Sequence, residues 1–174
     1  MPLMDRATSA LLLIDLQARL MPVIDGGAAV LARARLLRDA AVLLGVPVLA
    51  TEQNPQGLGA TVPDLAGAPT IRKTTFDATR AGLLDRLPEG RALVVAGCEA
   101  HVCVLQTVLG LLASGRRVFV VEDAVGSRRA LDRTAALRRM ERHGAEVATA
   151  EMAVFEWLAD SAHPRFREAL ALVR

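Results

Sequence analysis

The chain has 174 residues, 52% of them hydrophobic, with 21 basic and 19 acidic side chains and a formal charge of +2. That length suits one domain with a sizeable core, spanning residues 1–174. The Arg-Arg pairs at 116–117, 128–129 and 138–139 are scattered over different elements, so nothing concentrates the basic charge that a nucleic-acid partner needs. The most apolar stretch, 102–113, is broken by Gln106, Thr107 and Gly110. It is shorter than the ~20 residues that cross a bilayer, so no membrane partner is expected. The N-terminal stretch has an acid in its apolar run and no cleavage signature, unlike a secretory signal. With only two cysteines, five positions apart, the expectation is a reduced, cytoplasmic protein.

Elements follow in alternation. Residues 10–15, ALLLID, read as a buried strand ending in an acid. Residues 27–44 carry helical spacing, with Val30, Leu31, Ala34, Leu37, Ala41 and Leu44 on one face. Gly45 stops that helix and Pro47 follows. Residues 46–51 form a second strand, and 52–69 read as a long Pro- and Gly-rich loop. A short strand at 70–73 precedes a helical pattern at 78–87, closed by Pro-Glu-Gly at 88–90. The apolar run at 91–97 is a strand, 102–114 a helix closed by Gly115, and 117–122 a strand. A helix at 127–143, a strand at 145–150 and two short helices near 152–158 and 164–173 complete the chain.

Strand–helix alternation with continuously apolar strands is the pattern of an α/β doubly wound open sheet. About six parallel strands with helices on both faces, a Rossmann-like three-layer arrangement, are expected. Ligands in such sheets lie beyond the carboxyl ends of the strands. Those ends carry Asp15 and Gln17, then Thr51, Glu52 and Gln53, then Lys73, then Cys98 and Glu99, then Glu122 and Asp123. Cys103 falls where the helix after the fourth strand should begin, a position whose free N–H groups and dipole favour thiolate. Asp15 is placed to take the thiol proton, and backbone N–H groups of the turn to hold an oxyanion. Lys73 is the only lysine, every other basic residue being Arg; a compact, responsive point charge on this rim does what a bulky guanidinium cannot. His101 is a second-choice partner for Cys103, and a metal held by Cys98, His101 and Cys103 a third.

The motifs ALLLIDLQ, RKTTFDA and VVAGCEAHVCVLQT, in that order and spacing, resemble those of the isochorismatase-like cysteine hydrolases. That superfamily also holds nicotinamidases and N-carbamoylsarcosine amidohydrolases. TEQNPQGLG, EAHVCV, VEDAVGSR and AHPRF look closest to its isochorismatase domain-containing subgroup. The resemblance covers nearly the whole chain and implies an Asp–Lys–Cys triad at Asp15, Lys73 and Cys103. It also implies a cis peptide at Cys98–Glu99 that turns the N–H groups of Glu99 and Cys103 toward one oxyanion. The loop ATEQNPQG has no histidine where nicotinamidases carry metal ligands, so neither a metal nor a cofactor is expected.

The resulting expectation is a metal-independent hydrolase that cleaves an amide, ester or vinyl-ether bond of a small molecule through a covalent thiol intermediate. Gln17, Gln53, Phe76 and Glu99 are the expected substrate-pocket residues. Glu99 stands where many relatives have a small residue. Its carboxylate would either repel an anionic substrate or be neutralised by an arginine such as Arg72 or Arg128, and the sequence favours repulsion. A homo-oligomer is expected, with Phe155, Trp157 and Leu158 of MAVFEWL near the contact. Two other classes compete: a thiol redox sensor using Cys98 and Cys103, and a catalytically silent oligomeric scaffold of the same fold.

Overall fold

Among the described residues six strands pair, all in parallel, in the order β3-β2-β1-β4-β5-β6. They are β1 (Ser9–Ile14), β2 (Val48–Gln53), β3 (Thr70–Lys73), β4 (Ala92–Cys98), β5 (Val118–Gly126) and β6 (Glu146–Ala148). The computed structural model describes residues 3–87 and 89–174, so the expected stop at Pro88 lies outside the described residues. Among the described residues seven helices surround the sheet: α1 (Gly27–Leu44), α2 (Pro55–Leu58), α3 (Leu83–Arg86), α4 (Leu105–Ala113), α5 (Ala130–Arg142), α6 (Ala150–Leu158) and α7 (Phe166–Val173).

The two-residue period of a strand divides β1 between two cores. Leu11 and Leu13 join Leu37 of α1 and Val154 and Trp157 of α6. Ala10, Leu12 and Ile14 face the other way and join Leu105, Val108 and Leu111 of α4 and Met140 of α5. Each fully buried leucine contributes about 1.5–3 kcal/mol of transfer free energy, so both faces of the sheet drive the closure of the helices over it.

Strand order reverses between β1 and β4, the place where ligands bind in doubly wound sheets. Gly97 permits the close approach there. Its φ is 139°, and a Cβ on it would lie 2.0 Å from the Ile14 carbonyl oxygen. β1 then ends in Asp15, whose φ of 51° is left-handed, a region that aspartate enters more readily than most residues.

The boundaries depart from expectation where the backbone is irregular. The pattern at 78–87 is split by Gly82, at φ 79°, into a 3-10 turn (Ala78–Ala81) and the short α3. The loop at 52–69 holds the end of β2, α2 and a 3-10 turn (Pro63–Leu65). β5 does not stop at 122: its register against β4 shifts between Val95 and Gly97, and pairing resumes at Gly97 with Val125 and Cys98 with Gly126. Asp123 in the intervening bulge accepts a hydrogen bond from Ala150 N at the start of α6 (2.8 Å). The helix expected from 102 begins instead as a π-turn (Ala100–Val104), with Val104 N donating to Glu99 O at 3.2 Å. Trp157 and Leu158 are buried in the core, leaving Met152 and Phe155 as the exposed large apolar side chains of α6.

Candidate active site

Three strand ends bring Asp15, Thr51, Gln53 and Lys73 together. Lys73 Nζ donates to Asp15 Oδ2 at 2.7 Å and to Gln53 Oε1 at 2.8 Å. Thr51 Oγ1 donates to the other Asp15 oxygen at 2.6 Å. Both ionic side chains are 0% exposed. Removing two charges from water costs several kcal/mol per ion, and only close geometry with further hydrogen bonds offsets it. A hydrophobic pair would serve the fold as well, so the presence of this one points to chemistry.

Cys103 sits in the π-turn opposite this pair, a kind of helix irregularity frequent at functional sites. Its Sγ lies 4.0 Å from Gln53 Oε1, and Gln53 Nε2 is anchored on Thr74 O at 2.6 Å. The thiolate expected at a helix start is not what the surroundings favour. Burial, then the Asp15 charge, push the thiol up to about 12 from its ordinary 9.0, while Lys73 pulls it down less. Burial likewise pushes Cys98 up to about 12. Both thiols therefore hold their protons more tightly folded than unfolded. The stabilisation is complete below about pH 9 and is lost as pH rises toward 12. The chain has no Tyr, so the ultraviolet absorbance of thiolate is free of tyrosinate. Titration of the native protein should show little thiolate at pH 9, and a full thiolate signal near neutrality would contradict this environment.

Asp15, Gln53, Glu99, Cys103 and Phe76 line a cavity of about 310 Å³, closed by Leu20, Val23, Leu58, Val102, Arg19 and Arg128. Larger concavities exist, one of about 470 Å³ around Arg91, Arg116 and Arg117, but they lack the thiol. Gln17 does not line the 310 Å³ cavity. Its side chain donates to Gln53 O at 3.0 Å and Gly59 O at 2.6 Å and accepts from Gln53 N at 2.8 Å, so it fastens the 54–61 loop to β2. Glu99 is not a bare charge: its Oε1 accepts from Arg128 N at 3.1 Å and Arg128 Nε at 3.0 Å. Neutralisation by Arg128 replaces the expected repulsion, and Arg72 pairs with Glu52 instead, at 3.6 Å. His101 meets Ser127 Oγ at 3.0 Å through Nδ1, which leaves the Cys–His pairing without support. Thr51 carried no role in the sequence reading; its register beside Ile14 is what sets it against Asp15.

The peptide between Cys98 and Glu99 is cis. Cys98 packs in the core on the α1 side of the sheet and Cys103 in the core on the α4 side, and both are free. Among the described residues no three His, Cys, Asp or Glu side chains converge as a metal site, and no helix is long and apolar enough to cross a membrane.

A Rossmann-like sheet with a buried acid–lysine pair facing a thiol at the strand switch point defines the class. The chain belongs to the isochorismatase domain family, whose model matches residues 9–152. Isochorismatase domain-containing protein 2 of Bos taurus is 41% identical over 171 residues, covering 96% of this chain and 83% of that one. The structure of MAR1 ribonuclease from Caenorhabditis elegans matches with a TM-score of 0.93 at 38% identity, over 97% of this chain and 91% of that one. The YcaC gene product of Escherichia coli, described as an octameric hydrolase of unknown specificity, matches at 0.84 with 26% identity, over 99% and 88%.

Proposed function

We propose that the protein is a cysteine hydrolase of small molecules bearing an amide, ester or vinyl-ether bond, working without a metal through Asp15, Lys73 and Cys103. The observation that carries this is the fully buried Asp15–Lys73 pair beside a thiol in a walled cavity. On an amide or ester, Asp15 accepts the thiol proton as Sγ attacks the carbonyl carbon, which avoids a standing thiolate in a site that disfavours one. The carbonyl π electrons move to oxygen, and the N–H groups of Glu99 and Cys103 hold that oxyanion. Collapse expels the amine or alcohol, which takes the proton from Asp15. Water then attacks the thioester carbon as Asp15 takes its proton, and the tetrahedral intermediate collapses with loss of the Cys103 sulfur, which takes that proton back from Asp15 and leaves the carboxylic acid product free. Lys73, donating to Asp15 Oδ2 at 2.7 Å, orients that carboxylate and offsets the negative charge that develops.

A redox sensor is disfavoured because the sheet separates the two sulfurs. The name of the nematode neighbour raises RNA as a substrate; a thiol beside a carboxylate suits carbonyl attack better. We also propose a cytoplasmic homo-oligomer, supported by the octameric description of the E. coli neighbour and by the exposed Met152 and Phe155. The test is hydrolysis of a panel of amides, ureides, isochorismate and RNA, with and without a chelator. Chelator-resistant turnover of a carbonyl or vinyl-ether substrate that disappears in Cys103→Ala is expected. Cleavage of RNA alone, or activity that survives Cys103→Ala, would overturn the reading.

A further inference from the structure

We infer that Arg19 is a specificity-determining residue whose guanidinium receives a carboxylate carried by the ligand of the Cys103 cavity. The inference rests on the hydrolase reading only for calling that ligand a substrate. Arg19 lines the cavity together with Asp15, Glu99 and Cys103 and is exposed at its mouth. Its place is fixed by the 54–61 loop. The backbone N–H of Arg19 donates to Leu58 O at 3.0 Å and that of Ala18 to Ala60 O at 2.9 Å. The side-chain stem runs over Gly59, where an added Cβ would lie 3.7 Å from Arg19 Cγ. One nitrogen, Nη1, donates to Gln56 O and Gly57 O at 3.2 Å each. Nε and Nη2 have no partner among the described residues, and Arg19 forms no ion pair there. A guanidinium held by one nitrogen, with the other two free, is a preorganised fork for a planar carboxylate.

The charges of the cavity point the same way. Asp15 is matched by Lys73 and Glu99 by Arg128, while Arg19 has no acid of its own among the described residues. Three cations against two carboxylates leave one positive charge over. Leu20, Val23, Leu58, Phe76 and Val102 make the rest of the lining largely apolar, so the few polar groups decide how a ligand lies. The low-dielectric wall behind Arg19 strengthens its attraction for an anion. A single surplus charge suits a carboxylate monoanion; a phosphate dianion would leave negative charge in excess beside Glu99. A ligand with its carboxylate on Arg19 sets its other end toward Cys103 across a cavity of about 310 Å³, room for a small molecule.

Succinamate and succinamide differ only in whether one end is a carboxylate or an amide. Their binding to the Cys103→Ala protein, read by calorimetry, tests the assignment without turnover. A charge-assisted, bidentate contact changes affinity by about tenfold. Solvent at the exposed end trims that, so succinamate should bind at least about fivefold more tightly. Adding Arg19→Gln should bring the preference to about twofold or less while leaving succinamide affinity within about twofold; Arg19→Met should do the same if the Gln variant misfolds. If Arg19 served only to hold the loop through Gln56 and Gly57, both ligands would weaken alike. Equal or weaker binding of succinamate, a preference unmoved by both substitutions, equal loss of both ligands, no binding of either, or tighter binding of inorganic phosphate than of succinamate would overturn the inference. Because the nucleophile is absent from these titrations, a retained preference with a Cys103 that p-nitrophenyl acetate does not acylate in the parent protein removes the hydrolase reading alone. A lost preference with an acylated Cys103 removes the Arg19 assignment alone.

Discussion

Asp15→Asn should abolish turnover and lower stability by about 3–5 kcal/mol, the cost of leaving a buried charge without its partner. The substitution is nearly isosteric, so little of the loss is packing. Lys73 Nζ would keep Gln53 Oε1 but lose the carboxylate at 2.7 Å, with its side chain 0% exposed. Denaturant midpoints with an unchanged slope give the measurement. Asp15→Asn combined with Lys73→Met should recover much of the stability and none of the activity, since replacing both charges is far cheaper than removing one. A loss below about 1 kcal/mol for Asp15→Asn would place the pair in the range of a surface salt bridge and contradict its burial.

Lys73→Arg should be nearly as damaging to activity as Lys73→Ala. Charge is conserved, but the ammonium fits between Asp15 Oδ2 and Gln53 Oε1 at 2.7 and 2.8 Å, and a planar guanidinium is too large for a residue that is 4% exposed. Loss of a preorganised electrostatic group lowers rates by about 10²–10³. The comparison is kcat/KM for the two variants on one ester, with circular dichroism to check the fold. An Arg variant that keeps most of the activity would reduce Lys73 to a replaceable positive charge.

The sheet was legible because its strands are continuous apolar runs closed by turn residues, and so was the rim, because parallel strands expose their carboxyl ends together. Asp15, Gln53, Lys73 and Cys103 could be gathered from that rule. What the pattern hid lies in irregular backbone. Glu122 and Asp123 interrupt the apolar period of β5, so the strand read as finished. Its resumption at Val125 and Gly126 is what carries Arg128 to Glu99 and turns a bare carboxylate into an ion pair. The π-turn at Ala100–Val104 is likewise silent in residue spacing, and so is the burial that pushes the Cys103 thiol up. Gln17 illustrates a third limit: a polar residue at a strand end can serve the loop behind a site as readily as the site.

Cys103 as the nucleophile is tested most directly by acid-quenched mass spectrometry of the protein mixed with p-nitrophenyl acetate, followed by peptide mapping. One acetyl group is expected, on the peptide holding Cys103, formed with the release of nitrophenol and absent from Cys103→Ala. Acetyl on Cys98 or another residue, or nitrophenol release undiminished in Cys103→Ala, would contradict that role.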